Sequence, residues 1–340
     1  MTSHTSNAIE HQPPQSHSMR AVRKDRYGDA GALELVEVDR PNPGEGQVLV
    51  RVRAASLNAL DWHLLSGTPY FMRLMLGLRR PKRHGIGVDF SGIVEAIGDG
   101  VDGVRPGDAV FGAADGTCAE YVVAKQELVL PLPEGVGFDA ASTLNVAAIT
   151  ALQGLRDEGE VEAGQRVLIN GAAGGVGTFA VQIAKVYGAH VVAVCSGRNV
   201  EMVRSLGADE VVDYTAEDIS EMKGRFELIL DNAGSQSPSA LARMLTPNGR
   251  LVVVTGPKKG KLVGPLAHII RSKAWFTFDS RQMRGVNAQS KREDLAQIGA
   301  WVADGSITPT IHRTYSLDET PAAVELLAGG HAPAKLVINP

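Results

Sequence analysis

The sequence predicts an α/β chain of two domains, a strand-rich, partly open barrel and a doubly wound parallel sheet. Three observations carry this. The chain has 340 residues, enough for two ordinary domains. From Met19 to about residue 140, short segments of alternating polarity are punctuated by Pro and Gly. Beyond that, the rhythm becomes apolar strand, amphipathic helix, apolar strand, as in a parallel sheet covered on both faces.

Residues 1–18 are polar and rich in Pro, Ser and His, and read as a disordered tail. His4, His11 and His17 have no other ligand type beside them and read as solvated. "MRAVRKDRYG", "LELVEVDRP" and "GQVLVRVRAASL" read as antiparallel strands with one wet face, and "GVDFSGIVEAIG", "GDAVFGA" and "CAEYVVAKQELVLPLP" continue the pattern. "RVLINGAAGGVGTFAVQIAKVYGAHVVAVCS" then supplies a strand, a Gly-rich turn, a helix beginning near Gly177 and a second strand. "RNVEMVRSLGA" reads as helix, and "EVVDY", "FELILDNAG" and "GRLVVVTG" as strands. After "AWFTFDS" come the helix "REDLAQIGAWVADG" and the strands "TIHRTYSL" and "KLVINP", expected to pack back on the barrel.

Composition excludes several classes. The net charge of −4 is spread without a long like-charge block, which argues against nucleic acid or a membrane surface as partner. Apolar residues make up 44%, typical of a soluble globular chain. No uninterrupted apolar run reaches about 18 residues, and no basic-then-apolar signal peptide opens the chain. Two distant cysteines, Cys118 and Cys195, cannot build a disulfide framework, so a reducing cytoplasm is the simplest compartment.

"VLINGAAGGVG" is the strongest local signal. The strand Val167–Asn170 runs into Gly171, and glycines there let the backbone turn sharply and approach a pyrophosphate at a helix N-terminus. GxGxxG is not met: Ala172 stands at the first glycine, with Ala173, Gly174, Gly175, Val176 and Gly177 completing the turn. An NAD site wants Asp or Glu roughly 20 residues further on, for the ribose 2′-OH. Here the second strand ends Val194, Cys195, Ser196, Gly197, Arg198, with no acid before Glu201. Ser196 and Arg198 suit a 2′-phosphate, Tyr214 could cover it, and NADPH is the expected cofactor.

These residues resemble a known family. "GQRVLINGAAGGVGTFAVQIAK" is similar to the signature of the zinc-independent quinone oxidoreductase/zeta-crystallin branch of the medium-chain dehydrogenases/reductases. "NALDWHLLSGTPY", "GVDFSGIVEAIGDGV", "RPGDAVFG", "AEYVVA", "LNVAAITALQGL", "LGADEVVDY" and "AKLVINP" extend the likeness over nearly everything from Met19 to Pro340. The resemblance implies a GroES-like catalytic domain (19–142 and 284–340) around a Rossmann domain (143–283), NADPH in the cleft between them, and a homodimer. It places Asn232 and Thr255 at the nicotinamide half, with Thr150 nearby. One departure is "GHAPAK" where relatives often have "GHARGK": Pro333 replaces an Arg and its cofactor contact, while Lys335 remains.

Zinc-dependent relatives hold the metal with Cys, His and Cys or Asp. At the corresponding positions this chain has Asn58, then Val88 and Asp89, then Asn145, and no four-cysteine loop. His63, His84 and Cys118 form no ligand cluster by spacing. Without a metal the substrate must already be electrophilic, such as a quinone, an enone or an enoyl thioester. The catalytic candidates are Tyr70, as donor to the developing oxyanion, and Asn58, holding the substrate carbonyl or the nicotinamide ribose. Asp61 reads as a partner of nearby backbone N–H groups. Residues 70–85 read as an apolar flap over the cleft, with a basic tail in Arg79, Arg80, Lys82 and Arg83. Two other readings stay open, a zinc-type alcohol dehydrogenase and a non-enzymatic NADPH-binding, crystallin-like or sensor protein.

Overall fold

A computed structural model describes residues 17–254, 280–330 and 332–340. The expected tail apart from His17 and Ser18, Thr255, and the segment "AWFTFDS" up to residue 279 lie outside the described residues. Ser18 already opens the first strand.

The barrel half begins with a hairpin-like pair, β1 (Ser18–Arg23) against β2 (Glu34–Asp39). Its main sheet uses β3 (Gln47–Leu57), β4 (Asp89–Ile97), β5 (Ala109–Ala113), β6 (Tyr121–Lys125) and β7 (Val129–Pro131). It also uses β14 (Ile311–Ser316) and β15 (Lys335–Asn339), in the order β14-β15-β3-β4-β5-β7 with β6 also on β3. The two C-terminal strands thus return to the barrel as expected. One wet face holds for β6, but β4 from Asp89 to Gly92 and β5 from Val110 to Ala113 are buried on both faces, and so is part of β3. From Ala54 to Leu57 β3 is buried on both faces, because α3 (Phe138–Ala141) and α9 (Thr320–Ala328) also pack against this central strand.

The second half is a wholly parallel sheet of β8 (Arg166–Asn170), β9 (His190–Cys195), β10 (Glu210–Asp213), β11 (Phe226–Asp231), β12 (Leu245–Val253) and β13 (Gln282–Gly285). Its order is β10-β9-β8-β11-β12-β13, the doubly wound arrangement. The near-continuous apolar strands are explained by burial on both faces. Val167 and Ile169 enter the core beneath α5 (Gly175–Val186), whereas Leu168 enters the core shared with α7 (Pro238–Met244). The sheet keeps β13 to Gly285, just past the 143–283 span read from sequence. Helix α8 (Arg292–Ala303) packs its Leu295 and Ile298 into the core beneath α5, where Phe111 and Leu130 of the barrel also enter, so it seals the seam between the halves.

Candidate active site

The turn after β8 is built for close approach. Gly171 takes φ 82°, and Gly171 and Ala172 both donate to the Val194 carbonyl of β9, at 3.2 and 2.9 Å. Helix α5 starts at Gly175, two residues earlier than expected, with Gly174 as its cap. A Cβ on Gly177 would lie 2.2 Å from the Gly171 carbonyl oxygen, so only glycine lets the helix start sit on the turn. A Cβ on Gly174 would meet nothing nearer than 3.5 Å, so the space over the turn is open. The first turn of a helix leaves N–H groups without intrahelical partners, and these line that space.

The turn lies at the switch point of the sheet, where β8 connects to β9 on one side while β11 flanks it on the other. Asn170 donates 2.8 Å to Asp231 Oδ1, tying the tips of β8 and β11, and Ala233 and Gly234 donate to the same oxygen. Beside them Asn232 buries both its amide oxygen and its amide nitrogen without a partner among the described residues. An unsatisfied buried amide at this mouth, with an open glycine cradle, fits the nicotinamide half and pyrophosphate of a dinucleotide.

Ser196 and Arg198 follow β9 as expected, with Arg198 exposed and Asn199 donating 3.1 Å to Ser196 Oγ. Tyr214 leaves β10, is 53% exposed, and lines a pocket of about 390 Å³ with Asn170, Thr215, Asp218 and Ser235. Sequence reading missed Asp213. Register pairs it with Cys195, and its carboxylate accepts from the Gly197 and Thr215 N–H groups, which hold it below the usual carboxylate range behind the stronger Thr215 hydroxyl bond. An acid therefore stands beside Ser196 and Arg198, brought there by the neighbouring strand.

The turn is clamped to the catalytic sheet by the residues just before and at the start of β15. Ala334 donates 2.7 Å to the Ala173 carbonyl and holds φ 52°, a left-handed conformation that costs a non-glycine residue about 1 kcal/mol or more. Next to it the Lys335 side chain runs under Gly175 into a buried polar centre. Its ammonium donates to the Leu57 carbonyl at 3.1 Å and to Asn58 Oδ1, and stands 3.8 Å from Asp89 Oδ2. Asp89 also accepts from Asn58 Nδ2 at 3.0 Å, Asn145 Nδ2 at 3.1 Å and the Val146 N–H at 3.2 Å. Burial pushes Asp89 up and Lys335 down, and the attraction between them opposes both shifts. Of the positions set against metal ligands in the sequence, Asn58 and Asp89 thus meet an organic cation, and Asn145 meets Asp89. Asn145 keeps its buried amide oxygen without a partner among the described residues.

Asp61 lies beneath this centre and accepts from the Asn58 and Gly87 N–H groups at 2.7 and 3.1 Å, the role read from sequence. Full burial raises it to about 7, with Asp89 adding to the shift. The other candidates are placed as follows. Asn58 has its amide oxygen on Lys335 and one amide hydrogen on Asp89, leaving one N–H for a ligand. Tyr70 is 41% exposed, its ring under the Arg73 guanidinium at 4.6 Å. Thr150 is buried in α4 (Ile149–Gln153) and donates 2.6 Å to the Val146 carbonyl. His63 Nδ1 bonds the Thr68 carbonyl, His84 Nδ1 the Lys24 carbonyl, and Cys118 is buried. The expected flap does not fold over apolar neighbours: Leu74, Met75 and Leu78 are 72%, 82% and 67% exposed.

Known proteins agree with this architecture. Residues 44–134 match the alcohol dehydrogenase GroES-like domain, and residues 206–338 match a family described as zinc-binding dehydrogenase. A chloroplastic quinone-oxidoreductase of Triphysaria versicolor is 32% identical, covering 95% of this chain and 98% of its own. A mitochondrial NAD(P)H oxidoreductase of Homo sapiens is 32% identical over 96% of this chain and 90% of its own. The solved quinone oxidoreductase of Coxiella burnetii superposes with a TM-score of 0.83 at 32% identity, covering 95% of this chain and 99% of that one.

Proposed function

The chain belongs to the quinone-oxidoreductase branch of the medium-chain dehydrogenases/reductases, and from that premise we propose that it is a zinc-independent, NADPH-dependent reductase of quinones or α,β-unsaturated carbonyls. The observation that carries this reading is the Lys335–Asp89–Asn58 centre. A zinc site needs three protein ligands converging on one open position. Here Asn58 and Asp89 are engaged by an ammonium ion and Asn145 by Asp89, and among the described residues no three His, Cys, Asp or Glu side chains form a metal set. An alcohol would lack the Lewis acid that polarises it, so the substrate has to be electrophilic already.

When bound, NADPH supplies the hydride. The chain's own part is to hold and orient. Gly174–Gly177 and the α5 N-terminus receive the pyrophosphate, Asn232 offers an amide to the carboxamide half, and Ser196, Arg198 and Tyr214 surround the adenosine phosphate. The Ala173–Ala334 bond and Lys335 fix the turn against the sheet carrying Asn58, which sets the donor-to-acceptor geometry. The remaining Asn58 N–H and the Tyr70 hydroxyl are the donors for an oxyanion on the substrate.

NADPH is favoured over NADH by Ser196 and Arg198, and Asp213 works against it. Arg198→Glu is expected to weaken NADPH binding at least about tenfold while leaving NADH nearly unchanged. Asp213→Asn is expected to favour NADPH further. Fluorescence titration with both cofactors checks this, and equal weakening of both by Arg198→Glu would remove the preference. Oxidation of NADPH against a panel of quinones, enones and enoyl thioesters then names the acceptor. No turnover with any of them, alongside normal binding, would favour the non-enzymatic reading. The homodimer and the cytoplasmic location remain proposals that rest on family likeness and on thiol usage.

A further inference from the structure

We propose that residues 74–83 form a membrane-docking tip that inserts into the headgroup layer of an anionic lipid bilayer. Ten large hydrophobic residues are exposed among the described residues, and five of them fall within Tyr70–Leu78. Leu74, Met75 and Leu78 exceed every other in exposure, at 72%, 82% and 67%. Scattered single exposures need no explanation, but a contiguous aliphatic tip does.

The tip is held out rather than left loose. Arg73 anchors its base, donating to the Gly67 and Ser66 carbonyls at 3.0 and 3.1 Å, with its guanidinium over Tyr27 on one side and Tyr70 on the other. The Tyr27 hydroxyl donates 2.7 Å to the Gly77 carbonyl, and Lys82 N donates 2.8 Å to the Leu76 carbonyl, closing the loop behind the aliphatic residues.

Charge selects the occupant. No Asp or Glu occurs between Asp61 and Asp89, whereas Arg73, Arg79, Arg80, Lys82 and Arg83 all do. Arg83 pairs with Asp115, and Arg79, Arg80 and Lys82 are exposed. The whole chain carries −4, so everything outside this segment is acidic on balance, and the basic tail read from the sequence stands out against it. Aliphatic residues collared by cations match the acyl boundary and the anionic headgroups of one leaflet.

The test is sedimentation of the purified full chain with vesicles of phosphatidylcholine alone or with about one-third phosphatidylglycerol. Binding is expected to the anionic vesicles only and to be lost in half-molar salt. Leu74→Asp/Met75→Asp and Arg79→Glu/Arg80→Glu/Lys82→Glu should each reduce it about tenfold or more, with NADPH binding and melting temperature unchanged. Absence of binding to anionic vesicles, equal binding to both lipids, or variants that bind like the parent would overturn the proposal. So would a Leu74→Asp/Met75→Asp variant that keeps its lipid binding but loses a dimer or its turnover. Those results would make the tip a copy-to-copy contact or a substrate lid.

Discussion

Removing the Lys335 ammonium strands the Asp89 carboxylate in a site with 1% side-chain exposure. Lys335→Met is therefore expected to cost about 3–5 kcal/mol in urea unfolding, because one partner of a buried pair is left uncompensated. A cost within measurement error would mean that the amide donors alone compensate the Asp89 carboxylate, or that burial keeps it protonated. Asp61 gives a pH test. Its folded value of about 7 lies above the ordinary 3.8, so folding favours its protonated form. The stability it contributes is fully present below about pH 4 and is lost as pH rises through about 7. Asp61→Asn lacks that loss. The deficit of Asp61→Asn relative to the parent should thus be larger at low pH and shrink toward pH 8. A deficit that is constant or grows with pH contradicts the assignment. Neither residue was assigned this centre from sequence: Asp61 was read as a local partner of N–H groups, and Lys335 reaches Asn58 across 277 residues of chain.

At the scale of elements, the turn between β8 and α5 separates two uses of glycine. Gly177→Ala drives a Cβ to 2.2 Å from the Gly171 carbonyl and should lower both melting temperature and NADPH affinity. Gly174→Ala places its Cβ at an ordinary contact distance, 3.5 Å from the Gly171 carbonyl oxygen, and should leave the melting temperature unchanged while weakening NADPH about tenfold or more, because it fills the anion seat. Equal behaviour of the two variants, followed by thermal melting and fluorescence titration, would contradict that division. This turn was legible from sequence because strand, glycines and helix are contiguous and carry their periodicity locally. Asp213 was not, because its approach to Gly197 depends on β10 lying beside β9, and strand order is not written in any local segment. The double burial of β3 was missed for a similar reason: an alternating stretch reports a wet face only if no helix covers it.

At the scale of the molecule, the two halves were legible from the change of rhythm near residue 140, and the return of β14 and β15 to the barrel was anticipated. What local patterns could not express is the joint between the halves. There Ala173 meets Ala334, and Asp89 gathers Asn58, Asn145 and Lys335 from three separate segments. That joint is the basis of the proposal that this chain transfers hydride without a metal. Its most direct test is to measure zinc per chain and NADPH-dependent quinone or enone reduction on the same purified sample, before and after exhaustive chelation. The account predicts turnover with only trace zinc and no loss on chelation. Stoichiometric zinc, with activity that falls on chelation and returns when zinc is restored, would contradict it.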